Sequence, residues 1–213
     1  MTSTRNLILY TGAPDYLRLM KVMVRPYTMR VAICGPMASG KSCLAEQLIG
    51  QHGFSKVSLA RGVKLMGDRI LESLIDSGLV DAEQRQVKQR RMLQAIGAVG
   101  REIDPMMWIN DTIRCAEAHQ HVVVDDLRFV NEAIALADGG FIIIRLNFPD
   151  DETQKKRLMT AYPEDWERHW NARNDISETE ILAIPEELVD LEMTVEDGEA
   201  NWRTMAEHLW LLT

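Results

Sequence analysis

The chain lacks any apolar run approaching the ~20 residues that a membrane-spanning helix needs, so no span is expected. No signal-peptide pattern opens it. Cysteine is scarce: Cys34, Cys43 and Cys115 are spaced for neither a metal cluster nor a disulfide framework. Two of them flank a glycine-rich turn and read as small packing residues. The histidines, at 52, 119, 121, 169 and 208, form no cluster and receive no role. Positive charge is in deficit, with 24 Lys and Arg against 32 Asp and Glu and a net charge of −8. This argues against broad electrostatic binding to DNA or to an anionic membrane, and still permits a local basic pocket. Internal repeats and low-complexity segments are also missing. What remains is 213 residues, 46% of them hydrophobic, enough for one domain with a sizeable core in a reducing cytoplasm.

Against these absences one stretch is unusually explicit. Val31 to Cys34 is a short apolar run, as a buried parallel strand should be. Gly35 to Ser42 then reads G-x-x-x-x-G-K-S, and Leu44, Ala45, Leu48 and Ile49 follow at helical spacing. Gly35 and Gly40 permit backbone angles and close approaches that a side chain would forbid. The amides from Gly35 through Ala38, Ser39, Gly40, Lys41 and Ser42 to Cys43 are expected to face phosphates at the positive end of the helix. Lys41 can reach β- and γ-phosphate oxygens, and the Ser42 hydroxyl is placed to ligate Mg²⁺. The expected ligands are therefore a nucleoside triphosphate and Mg²⁺.

Four further strands are predicted at Ser55–Leu59, His121–Val124, Phe141–Leu146 and Leu191–Val195. Between them lie helical stripes: from Arg61 through Leu74, from Glu83 to about Val99, from Trp108 to Ala116, and from Val130 to Ala137. Asp104-Pro105 reads as a cap and first-turn proline, Gly139-Gly140 as a stop, and Trp202 to Trp210 as a closing helix. Strands alternating with helices predict an α/β fold with a central parallel sheet of about five strands, helices on both faces and a helical lid. Residues 1–28 are read as an N-terminal arm of unclear role, with a short strand at Asn6–Tyr10 and a short helix at Tyr16–Val24. Residues 29–213 form the main domain, with a helical region at about 60–118 and a polar stretch at about 149–180.

An apolar strand ending in acid, Val122-Val123-Val124-Asp125-Asp126, suits a carboxylate that holds a metal-bound water or accepts a proton. Asp125 is the expected metal partner of Ser42. Asp126 and Arg128 are placed with Lys41 at the reacting phosphate. Arg61, Lys64, Arg85, Lys88, Arg90 and Arg91 could meet an anionic acceptor, against the alternative of a solvated charged face. Lys155, Lys156, Arg157, Arg168 and Arg173 could belong to a lid that brings arginine to the phosphates and excludes water.

Over about residues 29–200 the chain resembles the phage-type deoxynucleoside monophosphate kinases. The resemblance rests on Ser58-Leu59-Ala60-Arg61-Gly62-Val63-Lys64, on Arg90-Arg91-Met92-Leu93-Gln94-Ala95-Ile96-Gly97, and most specifically on Asp126-Leu127-Arg128-Phe129-Val130-Asn131-Glu132. It implies a P-loop kinase fold and transfer of the ATP γ-phosphoryl group to a deoxynucleoside 5′-monophosphate. Asp126 and Arg128 would then sit at the reaction centre, with Lys64, Arg90, Arg91, Gln94 and Trp108 on the acceptor side. Family members often carry histidine where this chain has Asp175, before Ser177-Glu178. A phage-encoded chain would work in the host cytoplasm, on a small nucleotide, as a monomer or homodimer. Other acceptors keep the same fold: phosphomevalonate, or hydroxymethylated pyrimidine as nucleotide or in DNA, DNA being a partner only in that case. A nucleotide-dependent switch is a reading of another class, although the guanine-reading Asn-Lys-x-Asp segment of GTPases is absent.

Overall fold

A computed structural model describes residues 28–86, 89–174, 176–195 and 199–212. The expected strand and helix before residue 28, together with Lys88 and Asp175, lie outside the described residues. The chain divides into two compact units, one of residues up to Lys56 with those from His119 onward, the other Val57–Ala118.

The first unit holds the entire sheet. Its strands are β1 (Met29–Cys34), β2 (Ser55–Lys56), β3 (His121–Val124), β4 (Ile142–Asn147) and β5 (Leu191–Thr194). Their order is β2-β3-β1-β4-β5, and every neighbouring pair is parallel. Helix α1 (Lys41–His52) follows β1, and α9 (Glu199–Leu212) closes the chain. Val31 and Ile33 of β1 alternate onto the face that meets Leu44 and Leu48 of α1 and Trp202, Met205 and Leu209 of α9. Burying one such leucine fully stabilises the fold by about 1.5–3 kcal/mol, so the two leucines of α1 anchor the residues preceding it. Helix α5 (Val130–Asp138) packs by Ala133 and Leu136 and stops where Gly139 and Gly140 follow, the latter at φ +76°.

The expected boundaries hold within a residue or two for β1, β3, β4, β5 and α5. β2 is shorter than Ser55–Leu59, because the Ser58 carbonyl and hydroxyl accept from the N–H groups of Arg61 and Ala60 and turn the chain. The polar stretch at 149–180 is helical, with α6 (Asp151–Ala161), α7 (Trp166–Asn171) and the start of α8 (Ile176–Leu182). Asp150 caps α6 by accepting from the Thr153 N–H at 2.7 Å, which holds its carboxyl below the usual carboxylate range.

In the second unit α2 (Arg61–Asp76), α3 (Arg90–Ile103) and α4 (Met107–Ala116) surround Trp108. Its indole N–H donates to the Gly97 carbonyl at 3.1 Å. A Cβ added at Gly62 or Gly100 would stand 2.8 Å and 2.2 Å from its ring. The helix expected from Glu83 is instead a 3₁₀ turn at Ala82–Gln86 followed by α3. Arg85 of that turn reaches back to Glu72 in a two-pronged pair at 2.8 and 2.6 Å, and Gln89 donates to Gln84. Asp104 accepts from the Met106 N–H at 2.8 Å and leads into α4, whose N-cap is Met106, two residues later than the expected cap.

At the start of β3, His121 lies between the rings of Phe54 and Trp210, at centroid distances of 5.4 and 5.3 Å. Its Nδ1 is buried with no hydrogen-bond partner, and burial lowers its pKa below the ordinary 6.5. The unfolded chain therefore binds the proton more readily than the folded one. Stability is full above pH 6.5 and falls as the pH drops through that value toward the lower folded pKa. Urea midpoints measured from pH 8 to pH 5 should decline over this window, and His121→Phe should flatten the decline.

Candidate nucleotide-binding site

β1 lies between β3 and β4, so the sheet order brings the carboxyl ends of β1 and β3 side by side. In open parallel sheets this is where ligands bind. The loop from Gly35 to Gly40 leaves β1 there with three residues at positive φ: Gly35 at +147°, Ala38 at +64° and Gly40 at +84°. Ala38 alone among the described non-glycine residues takes such a conformation, which is a mark of backbone strain at functional sites. A Cβ at Gly35 would meet the Leu146 carbonyl oxygen at 2.5 Å, and one at Gly40 would meet the Trp202 ring at 2.3 Å. Only glycine fits either place.

Gly40 caps α1 without a side chain, and the first turn of that helix carries no acid. A helix that opens in this way suits an anion at its N-terminus. Lys41 Nζ donates to the carbonyls of Gly35 and Pro36 at 2.6 and 2.9 Å, arching over the loop. Ser39 is fully buried, and its hydroxyl has no hydrogen-bond partner. Cys43 is exposed, so the packing role expected of it falls to Cys34 alone. Burial raises the Cys34 pKa against the opposing pull of Arg145 and Lys41, so the thiol stays protonated at neutral pH.

Ser42 Oγ donates to Asp125 Oδ2 at 2.9 Å, which brings the two expected metal partners together. The same oxygen meets Lys56 Nζ at 2.6 Å, a partner that the sequence did not announce. A hydroxyl and a carboxylate are hard oxygen donors suited to Mg²⁺, which takes one or two protein ligands and completes its shell with phosphates and water. Among the described residues no cluster of three or more His, Cys, Asp or Glu offers a fuller metal cage. Asp126 follows, half-buried, and Arg128 is held by its backbone. The N–H groups of Arg128 and Phe129 both donate to Glu132 Oε2, at 3.0 and 3.1 Å, and Glu132 is buried. Glu132 is thus a positioning residue for the turn that presents Arg128.

The arginines expected in a lid divide. Arg157 lies 5.3 Å from the centre of the Trp202 ring, the ring that also abuts Gly40. Arg173 is held within its own segment, over the Trp170 ring at 3.9 Å and donating to the Trp170 carbonyl. Arg168 is exposed. The first helix of this stretch is docked: Leu158 is buried, and Gln154 Nε2 donates to the Met37 carbonyl at 3.3 Å.

On the second unit, Lys64, Arg91 and Gln94 are exposed, whereas the Arg90 side chain lies outside those described. Arg61 pairs with Asp111 at 2.8 Å and Arg85 with Glu72 at 2.6 Å. Trp108 is occupied in packing against Gly62 and Gly100. A concavity of about 420 Å³ on this unit is lined by Gly78, Leu79, Val80, Asp81, Gln84 and Gln89, none of them in the expected site.

No protein-family model matches the chain. The uncharacterized protein ORF77 of Ictalurid herpesvirus 1 (strain Auburn) is 29% identical over 170 residues, covering 75% of this chain and 63% of its own length. The chain thus spans less than two thirds of that relative. Among solved structures, TT1252 from Thermus thermophilus matches with a TM-score of 0.50 at 18% identity, over 88% of this chain and 100% of that one. A shikimate kinase from Acinetobacter baumannii, solved with shikimate, gives a TM-score of 0.48 at 13% identity, over 87% of this chain and 92% of that one. The expected architecture, an all-parallel five-stranded sheet with helices around it, is the one found, and TT1252 shares the fold.

Gly40→Ala should destabilise the protein by about 2 kcal/mol or more, since the new methyl meets both a positive φ and the Trp202 ring. Gly40→Ala combined with Trp202→Leu should lose less than the sum of the two single changes. Urea unfolding of the four proteins measures this directly, and strict additivity would rule out the contact.

Proposed function

We propose that this chain is a phosphotransferase that moves the γ-phosphoryl group of ATP to a deoxynucleoside 5′-monophosphate. The observation that carries the reading is the joining of a strained, uncapped, glycine-walled loop to a strand-end carboxylate through the 2.9 Å hydrogen bond from Ser42 to Asp125. A loop of this kind binds phosphate through backbone N–H groups. Ser42 and Asp125 would hold Mg²⁺, which when bound neutralises charge on the phosphate oxygens.

The chain's own residues supply the rest. Lys41 can exchange the carbonyls of Gly35 and Pro36 for phosphate oxygens, because its stem already spans the loop. Arg128, on a turn fixed by Glu132, offers a guanidinium to the transferring group. Asp126 can accept the proton or orient the attacking oxygen. The acceptor assignment rests on the resemblance at residues 58–64, 90–97 and 126–132. The exposed polar groups of Lys64, Arg91 and Gln94 suit a phosphate and a base edge. The same loop would serve a kinase with another acceptor, so the acceptor decides the test.

ADP formation from ATP and Mg²⁺ should be stimulated by one or more of the four common deoxynucleoside monophosphates or hydroxymethyl-dUMP. Stimulation only by phosphomevalonate or by hydroxymethylated DNA would overturn the acceptor and keep the chemistry. Nucleotide binding with no stimulation by any acceptor would favour a switch. Lys41→Ala should lower turnover at least about 100-fold, and Arg91→Ala should raise the acceptor KM about tenfold with little change in kcat. Retention of most activity by Lys41→Ala would refute the assignment of the loop.

A further inference from the structure

The Asp125 side chain is only 6% exposed, whereas that of Lys56 is 45% exposed. The two are brought together by the sheet and not by nearness in sequence: β2 pairs with β3 in parallel, with Lys56 opposite Val123. From the last position of β2 the lysine stem reaches the strand-end carboxylate and places Nζ 2.6 Å from Oδ2. Ser42 Oγ already donates to that oxygen at 2.9 Å. A carboxylate withdrawn from water needs a counter-charge, and here it has an ammonium whose remaining surface is open to solvent.

A divalent cation that takes oxygens from Ser42 and Asp125 needs the carboxylate that Lys56 occupies. The two cations repel at such a distance, so one must leave. We infer that Lys56 is the resident counter-ion of the metal carboxylate, and that binding of a divalent metal exchanges it for the ammonium. In the metal-free protein Lys56 and Ser42 together hold the same oxygen of Asp125. Lys56 also weakens the hold of the site on metal until nucleotide phosphates contribute, and being half-exposed it can then turn out into water. This inference rests on the phosphate-loop reading of the site given above.

The test is Mn²⁺ binding to the nucleotide-free full chain, followed by loss of the free-ion electron spin resonance signal, with thermal unfolding alongside. Lys56→Met should bind Mn²⁺ at least about fivefold more tightly than the parent chain, and Lys56→Arg, which keeps the charge, should match the parent. Without metal, Lys56→Met should unfold at a lower temperature, and Mn²⁺ should raise that temperature by more than it does in the parent. Lys56→Gln is a second neutral variant for use if Lys56→Met fails to fold. Equal or weaker Mn²⁺ binding by the neutral variants would overturn the exchange. If MnATP then still binds and Asp125→Asn removes that binding, only the exchange fails. If MnATP binds to none of the proteins, the reading of the site fails with it.

Discussion

The phosphate loop can exist only because distant parts of the chain press against it. Three of its residues take positive φ, one of them alanine, at a cost of order 1 kcal/mol for the non-glycine position. The groups that hold this shape come from far along the sequence. Leu146 of β4 roofs Gly35, Gln154 of α6 donates to the Met37 carbonyl, and Trp202 of α9 abuts Gly40. Leu44 and Leu48 fix the helix behind the loop from the other side. The cradle is thus a property of the folded first unit as a whole, completed by its last helix.

The electrostatics follow from the same packing. The chain is acidic overall, yet Lys41, Arg145 and Lys56 are gathered around the ends of β1, β3 and β4. Cys34 sits opposite Arg145 in the β1–β4 register and is buried there. Ionisation of its thiol would cancel part of this local positive charge. Desolvation outweighs the attraction of Arg145 and Lys41, so the thiol stays neutral. The net −8 describes the surface at large. It does not describe the ends of these three strands.

Much of this was legible in the sequence, and the reasons for success and failure are local against long-range. Gly35–Ser42, β1, β3 and α5 are written by short-range signals: an apolar run, a glycine pattern, a 3.6-residue stripe and a glycine stop. β2 was read too long because Val57 and Leu59 are buried without pairing, and burial looks the same in sequence whether or not a ladder forms. The helix read from Glu83 shifted because Arg85 and Gln89 found side-chain partners across a turn. Lys56 and Trp202 were invisible as site residues for a single reason. Each becomes a neighbour of the loop only through the strand order and the docking of α9, which no window of the sequence displays.

Motif residues, too, divide between holding shape and meeting ligand. In Asp126-Leu127-Arg128-Phe129-Val130-Asn131-Glu132, Leu127 is fully buried and Glu132 is used up on two backbone N–H groups. In the second unit Gly97 accepts from Trp108, and Gly62 and Gly100 make room for its ring, so three glycines and a tryptophan serve one packing contact. A resemblance carried by such residues is chiefly a resemblance of scaffolds: it specifies where the Arg128 backbone stands and how α2, α3 and α4 meet. Lys64, Arg91 and Gln94, by contrast, are exposed, and nothing in the packing of their helices constrains them. These side chains can therefore change while the scaffold stays intact, so a shared motif is stronger evidence for the scaffold than for the molecule it would bind.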